Sequence, residues 1–350
     1  MDGIININKE PGYTSHDVVA KLRGILGIRK IGHTGTLDPD AAGVLPICVG
    51  RATRVCDVLT DRDKTYEAKV VLGITTDTLD TSGEIREIKA VDVDRDGLFA
   101  VLSLFKGEIT QIPPMYSAVK VNGKKLYEYA REGKEVERKK RQVTIYETEL
   151  LGESLHPWKP DTDGHISPDK DSINIDELPS FRIRIRCSKG TYIRTLCDDI
   201  GRELGCGACM ASLVRTAVGR FGIEDALTLS EVEDRYRIWT DQPAGELPGW
   251  MFSIDSIFDK YPSVHVSEDG MKLLKNGNPI PAGALTYDSG SVDDEDSGVG
   301  SSQPHAADEK KVPADTLSGV IRVYGADGDF YALYRYDKKR AIYKVEKYFH

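Results

Sequence analysis

The sequence predicts a mixed α/β protein with two domains, one at residues 1–250 and a smaller β-rich one at residues 251–350. Three observations support this. At 350 residues the chain is too long for one small core. Before Trp250, segments with strand character and segments with helical spacing follow one another. Past Trp250 only short strand-like runs separated by turn residues remain, which is typical of a small β-barrel or sheet.

The first elements are predicted to be a strand, a turn and a helix. Residues 3–9 have strand character and end at the turn Pro11-Gly12. Ser15 is expected to cap a helix. Its apolar positions recur at helical spacing, namely Val18, Val19, Leu22, Ile25 and Leu26.

Residues 32–46, GHTGTLDPDAAGVLP, are the most informative stretch of the chain. Glycines at this density let the backbone approach a ligand closely or adopt positive φ. The stretch lacks the Gly-Lys-Ser/Thr of a nucleotide-phosphate loop, so the Asp38 carboxylate is its candidate chemical group. A structural interpretation stands beside this one, because Asp-Pro is also a common turn and helix start with Asp as the cap.

The middle of the chain predicts further strands and one helix. Residues 66–72 are rich in strand formers, and residues 75–83 form a polar loop by their composition. Residues 181–186 alternate apolar with basic, so one face of this strand is buried while arginines line the other. A helix is expected from about Tyr192 to Leu204.

Residues 111–142 carry a basic and aromatic pattern. From Lys120 to Gln142 there are nine basic and four acidic residues, with Tyr127 and Tyr129 among them. Cationic groups for phosphates and aromatic rings for stacking are typical of a nucleic-acid contact. A solvated helix with internal salt bridges fits this segment equally well.

The net charge of −9 is unevenly distributed along the chain. Residues 288–315 carry −6 and residues 153–177 carry −5, which leaves +2 for the remainder. Both segments have the composition of solvated loops, and residues 288–315 are expected to be disordered. Their acidity therefore does not exclude a basic binding surface elsewhere on the protein. Residues 153–178 and 288–315 are therefore interpreted as solvated acidic segments.

The chain has no apolar run of membrane-spanning length, and its start lacks a basic and apolar leader. We therefore expect a cytoplasmic protein without a membrane partner. The six cysteines are too few for a disulfide scaffold. Cys206 and Cys209 have CxxC spacing, but no second pair at zinc-site spacing accompanies them, so we expect buried small side chains and no metal.

Several motifs occur together in one order. They are KEPGYTS at residues 9–15, GHTGTLDPDAAGVLP at 32–46, KTY at 64–66, LGITTDTLD at 72–80, SKGTYIRT at 188–195 and LVR at 213–215. This order resembles the bacterial TruB-type tRNA pseudouridine synthases, which modify the uridine at position 55 of the T-loop. Residues 111–131 are similar to the thumb insertion of that family. The resemblance covers nearly all of residues 3–230 and continues more weakly into a C-terminal region similar to the RNA-binding PUA domain. Relative to the family pattern, the acidic segments at 153–178 and 288–315 are insertions.

The resemblance implies a fold and an activity. The fold would be that of pseudouridine synthases, with a central mixed, mainly antiparallel sheet, a thumb insertion at about 111–142 and a small C-terminal PUA-like β-barrel. The reaction detaches uracil from C1′ and rejoins it through C5, so no cofactor or metal is expected. The substrate would be the T-arm of tRNA, held by thumb cations: Lys120, Lys124, Lys125, Arg138, Lys139, Lys140 and Arg141.

The resemblance also implies residue roles. Asp38 matches the aspartate that acts as nucleophile or proton acceptor, and Arg194 matches the arginine that pairs with it. Tyr66 matches the tyrosine beneath the flipped base, suited to stacking and to relaying the C5 proton. His33 resembles the histidine that fills the space left by the extruded uridine. Residues that match the lining of the base pocket are Tyr192 and Leu213.

Taken one at a time, these residues have ordinary structural interpretations. Tyr66 on a strand fits a core position, Arg194 fits a surface ion pair, and His33 fits a local hydrogen bond. Lys9 and Asp80 lie in family motifs and are assigned supporting roles only.

Two other functions remain as alternatives. One is the related synthase that works inside a guide-RNA particle. The thumb motif favours the stand-alone type, for which we expect a monomer with no obligatory protein partner. The other is a non-catalytic RNA-binding or tRNA-folding factor, which has no need of Asp38, Tyr66 and Arg194 together.

Overall fold

The structure, a computed structural model, describes five parts of the chain: residues 1–160, 173–240, 247–287, 310–311 and 319–350. Of the two acidic insertions expected from the sequence, residues 161–172 of the first and most of residues 288–315 lie outside the described residues. No helix in the described parts is both long and apolar enough to cross a membrane.

A nine-stranded sheet forms the centre of the first part of the chain. Thirteen strands are described before residue 250: β1 Gly3–Lys9, β2 Ile31–His33, β3 Ala42–Val49, β4 Lys64–Leu72, β5 Ile74–Thr76, β6 Ile85–Ile88, β7 Gly107–Gln111, β8 Lys120–Val121, β9 Lys124–Lys125, β10 Arg141–Ser154, β11 Ser180–Cys187, β12 Ala208–Val218 and β13 Phe221–Gly222. The main path of the sheet is β1-β3-β12-β4-β11-β10-β7, with β2 beside β3 and β13 beside β12. Only the β3–β12 pair in it is parallel, so the predicted mixed, mainly antiparallel sheet is confirmed.

Six helices surround this sheet within the described residues: α1 Ser15–Leu26, α2 Cys56–Thr60, α3 Arg95–Leu104, α4 Leu126–Arg131, α5 Ile193–Glu203 and α6 Leu229–Thr240. Helix α1 begins where the sequence predicts, but the prediction of its cap was wrong. Thr14 is the N-cap, and it forms a reciprocal capping box with Asp17. The Ser15 hydroxyl instead accepts a hydrogen bond from the Leu37 backbone at 3.0 Å and so ties the helix start to the Gly-rich loop.

Strand β11 alternates as predicted, with its apolar side chains buried and its arginines exposed. Those arginines face glutamates on the neighbouring strands: Arg184 lies 2.9 Å from Glu67 and 2.6 Å from Glu149. Because the charges of these arginines and glutamates neutralise each other, this exposed face of the sheet is not a strongly basic surface. The buried side chains of β11 belong to the same apolar cluster as those of α5.

Gly43 is required for the close approach of β3 to β12. Its φ is +104°, and a Cβ placed there would lie 2.2 Å from the Arg215 carbonyl oxygen. We therefore expect Gly43→Ala to lower the free energy of unfolding by at least about 2 kcal/mol. Gly24, exposed within α1 and with nothing near its Cβ position, is the matched control, and its change to Ala is expected to stabilise the protein by up to about 1 kcal/mol.

Urea unfolding of the two variants checks this difference. If Gly43→Ala were as stable as the unsubstituted protein, the close packing of the two strands at this point would be contradicted.

The C-terminal part is a second, nearly closed, barrel-like sheet, as predicted. Its elements are β14 Ser263–Val266, α7 Met271–Lys275, β15 Ile280–Pro281, β16 Leu285–Tyr287, β17 Lys310–Lys311, β18 Val320–Tyr324, β19 Phe330–Asp337 and β20 Ile342–Tyr348. The barrel packs on the first part through an apolar cluster in which Leu333 and Phe349 join Val55, Leu59 and Phe258. Lys347 also pairs with Asp57 at 2.6 Å.

Candidate active site

The Gly-rich loop holds Asp38 in a turn between β2 and β3. Of the turn and the helix start that Asp38-Pro39 allows, the structure shows the turn, because the loop makes a single turn at Pro39-Asp40 and then enters β3. The backbone of Ala41 donates to the Asp38 carbonyl at 3.1 Å, which closes this turn. The Asp38 carboxylate therefore projects from a short, braced loop, with its side chain 43% exposed.

Lys9 braces the loop from beneath. It is fully buried, and its Nζ donates to the carbonyls of Pro39 at 2.9 Å, Tyr13 at 2.7 Å and Glu10 at 3.1 Å. A buried ammonium that meets three carbonyl acceptors is a structural clamp. Lys9 therefore supports the loop rather than facing the cavity.

Arg194, at the first turn of α5, joins three separate segments. Its Nη2 lies 3.0 Å from Asp38 Oδ2 and donates to the Tyr116 carbonyl at 2.9 Å. Its Nη1 contacts Asp80 Oδ2 at 3.3 Å and donates to the Thr78 carbonyl at 3.1 Å. The side chain is only 9% exposed, so this guanidinium is a buried link between the Asp38 loop, the 77–84 loop and the base of the thumb.

Asp80 is therefore part of the site, although the sequence indicated a supporting role only. Its carboxylate pairs with Arg194 and also accepts hydrogen bonds from Thr78 Oγ1 at 2.7 Å and the Ser82 backbone at 3.0 Å. Asp80 thus orients Arg194 from the side opposite Asp38. The contact depends on the fold of two distant segments, and no local pattern in the sequence indicates it.

A cavity of about 780 Å³ opens beside Asp38. Five of the six residues predicted for the reaction line it, namely Asp38, Tyr66, Tyr192, Arg194 and Leu213. Its other walls come from the Gly-rich loop, the thumb base, the start of β10, the segment before α5, and strands β4 and β12. This volume is typical of a ligand site.

Tyr66 lies on β4 with its ring at the cavity wall, and its side chain is largely buried. Burial raises the pKa of its phenol above the ordinary value, and the charge of Arg215 opposes that rise. Leu213, on β12, is an apolar neighbour in the same wall. Together they offer a flat, apolar surface suited to a planar base.

Tyr192 is the N-cap residue of α5, and its backbone is tied to Gln111 at the end of β7. The Tyr192 N–H donates to Gln111 Oε1 at 3.0 Å, and Gln111 Nε2 donates to the Tyr192 carbonyl at 3.2 Å. Gln111 is nearly fully buried, so this pair fixes the segment before α5 to the base of the thumb.

His33, the sixth predicted residue, is not among the residues that line the cavity. It ends β2, two residues before Gly35, which does line it. One ring nitrogen, Nδ1, is 3.1 Å from the Gly35 carbonyl, and Nε2 is 3.2 Å from Nδ1 of His16 on α1. Burial lowers the pKa of His33, which favours a neutral imidazole beside the cavity.

The surroundings of Asp38 shift the pKa of its carboxyl in opposite directions. Burial raises the pKa of its carboxyl above the usual aspartate value, the Arg194 charge lowers it, and the Asp80 charge raises it further. The net direction is upward. A carboxylate with a raised pKa, held by one cation in a cavity, is a stronger base than an exposed aspartate.

The predicted thumb is a small hairpin and helix between β7 and β10. Part of its charge is neutralised internally, because Lys124 pairs with Glu132, and Arg138 pairs with Glu135 at 3.0 Å. Lys124 and Lys125 also lie over tyrosine rings, at 4.8 and 5.3 Å from the centroids. In the described parts of the chain, four other predicted cations have no ion pair: Lys120, Lys139, Lys140 and Arg141.

Of the predicted thumb cations, Arg141 alone is among the residues that line the cavity. It begins β10 and is paired in register with Gln111. Residues 139–141, whose side chains have no ion pair among the described residues, therefore lead to the cavity.

All six cysteines are free thiols. Five of them are buried, as expected for small apolar side chains. Among the described residues, no three His, Cys, Asp or Glu side chains come together as a metal site would require.

Two family models match the chain, one directly after the other. The model of the TruB family pseudouridylate synthase N-terminal domain matches residues 23–193. The model of the tRNA pseudouridylate synthase B C-terminal domain matches residues 194–259. Between them, the two matches contain every residue that lines the cavity.

Curated relatives extend the similarity along the chain. The tRNA pseudouridine synthase B of Lachnoclostridium phytofermentans is 44% identical over 349 residues, which is 100% of both chains. The protein of the same name from Geobacillus thermodenitrificans is 47% identical over 279 residues, 79% of this chain and 85% of its own.

Solved structures show the same fold. A chain in the structure of an H/ACA ribonucleoprotein bound to a substrate RNA containing 2′-deoxyuridine superposes with a TM-score of 0.63 and 24% identity. A chain of a Cbf5–Nop10–Gar1 complex gives a TM-score of 0.63 and 26% identity. Each match covers 99% of this chain and 85% of the other.

Proposed function

The chain belongs to the TruB family of pseudouridylate synthases, and we propose that it isomerises the uridine at position 55 in the T-loop of tRNA to pseudouridine. One observation carries the assignment of the site. The Asp38 carboxylate and the Arg194 guanidinium meet at 3.0 Å in the wall of the cavity that Tyr66 also lines.

Asp38 is the residue that acts on the uridine. Its carboxylate is exposed enough to reach a ligand, while Arg194 fixes one of its oxygens and leaves the other unbound by Arg194. Such a group can attack the sugar or the base, or accept a proton, and both kinds of step need an ionised, oriented carboxylate. The reaction rearranges bonds within one nucleotide, so the chemistry requires no added oxidant or reductant.

The target base must leave the folded T-loop to reach Asp38. Tyr66 and Leu213 offer the surface on which a flipped uracil stacks. In this proposal His33, which lies just outside the cavity lining, occupies the space from which the base leaves. Its preference for the neutral form suits stacking within RNA.

The thumb and the C-terminal domain provide the remaining RNA contacts in this proposal. The thumb at about residues 111–142 holds the T-arm through phosphates, with Lys139, Lys140 and Arg141 as its main cations. The catalytic domain spans residues 1–250, and residues 251–350 form a PUA-like domain that binds RNA. The protein acts as a monomer without an obligatory protein partner.

Reversing the charges of Lys139, Lys140 and Arg141 to glutamate is expected to weaken tRNA binding and to flatten its salt dependence. Removal of one phosphate contact lowers the slope of log K against log salt by about 1, so the slope for the triple variant should be smaller by about 3. Binding titrations between low and high salt measure this.

Lys106→Glu is the matched control, because Lys106 is exposed, has no ion pair in the described residues, and precedes β7 at the end of that strand away from the thumb. Its effect on the slope should be small. Equal slopes for the triple variant and the unsubstituted protein would exclude the thumb as a phosphate contact.

A guide-RNA-dependent synthase is the second candidate, because the structural matches are to chains of H/ACA complexes. The curated relatives favour the stand-alone enzyme, since they are named tRNA pseudouridine synthase B and match over 79–100% of this chain. Chemical mapping of pseudouridine after incubation of the purified protein with unmodified tRNA distinguishes the two. Modification at position 55 without any guide supports the proposal, and modification that depends on an added guide RNA would overturn it.

A further inference from the structure

Arg215, on β12, is a buried cation without a role in the reaction as proposed so far. It is 1% exposed and is the largest fully buried side chain among the described residues. Its Nε donates to the Val44 carbonyl at 2.7 Å, which anchors the guanidinium between β12 and β3. A buried charge without a partner lowers the stability of the fold, so its presence here indicates a functional role.

The Arg215 guanidinium is only partly satisfied by the protein. In the described parts of the chain, Arg215 has no carboxylate partner within ion-pair distance, and its buried Nη2 has no hydrogen-bond partner. Arg194, by contrast, binds two carboxylates and two carbonyls. Arg215 therefore lines the cavity and keeps one buried donor that no acceptor among the described residues satisfies.

Tyr66 is the neighbour on which this guanidinium can act. Arg215 and Tyr66 are directly opposite each other in the register of the antiparallel β12–β4 pair, so their side chains point to the same face of the sheet. Both line the cavity, and the Arg215 charge is the largest influence that opposes the upward shift in the Tyr66 pKa.

We propose that Arg215 is a positioning residue that acts through Tyr66: its guanidinium orients the phenol under the base and stabilises the phenolate that removes the C5 proton. This inference rests on the proposed function. In that step the C5–H bond of the rejoined uracil breaks and its electron pair restores the C5=C6 double bond. The Tyr66 phenol first gives its own proton to water, and the resulting phenolate takes the C5 proton. As the C5=C6 bond forms, the electron pair of the C6=N1 bond moves to N1, which takes a proton, so no external reductant or oxidant is needed.

A deuterium isotope effect at C5 is the readout that a purely structural role would not change. Arg215→Met should slow product formation by about 10- to 100-fold, the reduction expected when a charge-assisted hydrogen bond is removed. With uridine carrying deuterium at C5, the isotope effect on that rate should rise toward its full primary value, because proton removal becomes rate-limiting. In a Tyr66→Phe background, Arg215→Met should cause no further reduction.

The isotope effect is a ratio, so it does not depend on the fraction of active protein. If Arg215→Met fails to fold, Arg215→Lys retains the charge without the fork of donors and should show an intermediate isotope effect. Arg184→Met, at an exposed position of β11, is the control and should leave the isotope effect unchanged. An unchanged isotope effect in the Arg215 variants would overturn the inference, whereas the proposed function fails only if position 55 remains unmodified by the unsubstituted protein.

Discussion

Replacing Asp38 by asparagine is expected to lower single-turnover formation of pseudouridine by more than about 1,000-fold. The amide keeps the shape of the side chain but can neither attack carbon nor accept a proton. Lys9 would still brace the loop through the Pro39 carbonyl, and Arg194 would keep its contacts with Asp80 and Tyr116, so the variant should fold and bind tRNA with nearly unchanged affinity. Release of tritium from uridine labelled at C5 measures turnover, and a filter-binding titration measures affinity.

Asp40→Asn is the matched control for this variant. Asp40 lies two residues further on the same turn, is exposed, and belongs to neither ion pair of Arg194. It should retain most of the turnover. If Asp38→Asn kept more than a small fraction of the normal rate, the assignment of the reacting carboxylate would be wrong.

Replacing Arg194 by methionine is expected to reduce both activity and stability. The change leaves Asp38 and Asp80 without their shared cation, and removing one partner of a buried ion pair costs about 3–5 kcal/mol. Turnover should fall by at least about 100-fold, because Asp38 loses its orientation as well as its counter-charge. Urea unfolding and single-turnover kinetics measure the two effects.

Arg184→Met provides the comparison for stability. Arg184 also contacts two carboxylates, Glu67 and Glu149, but on an exposed face of the sheet, so its removal should cost less than about 1 kcal/mol. Equal reductions in stability for the two variants would contradict the buried, linking role of Arg194.

The same Arg194 variant has a predicted pH dependence. Burial raises the pKa of Asp38 and Arg194 lowers it, so removing Arg194 raises this pKa further. Only the ionised carboxylate is reactive, and activity therefore falls as the pH drops through this pKa. The acidic limb of the rate profile should lie above the usual aspartate range in the unsubstituted protein and at still higher pH in Arg194→Met.

Much of this arrangement is predictable from the sequence because local rules decide it. The alternation of residues 181–186 predicts a half-buried strand, and the apolar spacing of α1 predicts its buried face. The motifs around Asp38, Tyr66 and Arg194 predict a common site through their resemblance to one family, and the structure places all three side chains at one cavity.

What sequence reasoning missed depends on distant contacts. Thr14 and Ser15 both have side chains that can cap a helix. Thr14 is the N-cap, because the Ser15 hydroxyl accepts a hydrogen bond from the Leu37 backbone, 22 residues later. The sequence allowed a turn or a helix start at Asp38-Pro39, and the turn forms because the chain enters β3 two residues after Asp40. The importance of Arg215 follows only from the register of β12 against β4 and from its unsatisfied donor, and neither is visible in a local pattern.

The proposed enzyme converts one uridine of tRNA with Asp38 held by Arg194, and it needs no help from another protein or RNA. Chemical mapping of pseudouridine in unmodified tRNA after a single turnover, with the purified protein in excess, decides whether this is so. We expect complete modification at position 55 by the unsubstituted protein and none by Asp38→Asn at equal occupancy. Modification at position 55 by both proteins, or by neither, would contradict the proposal.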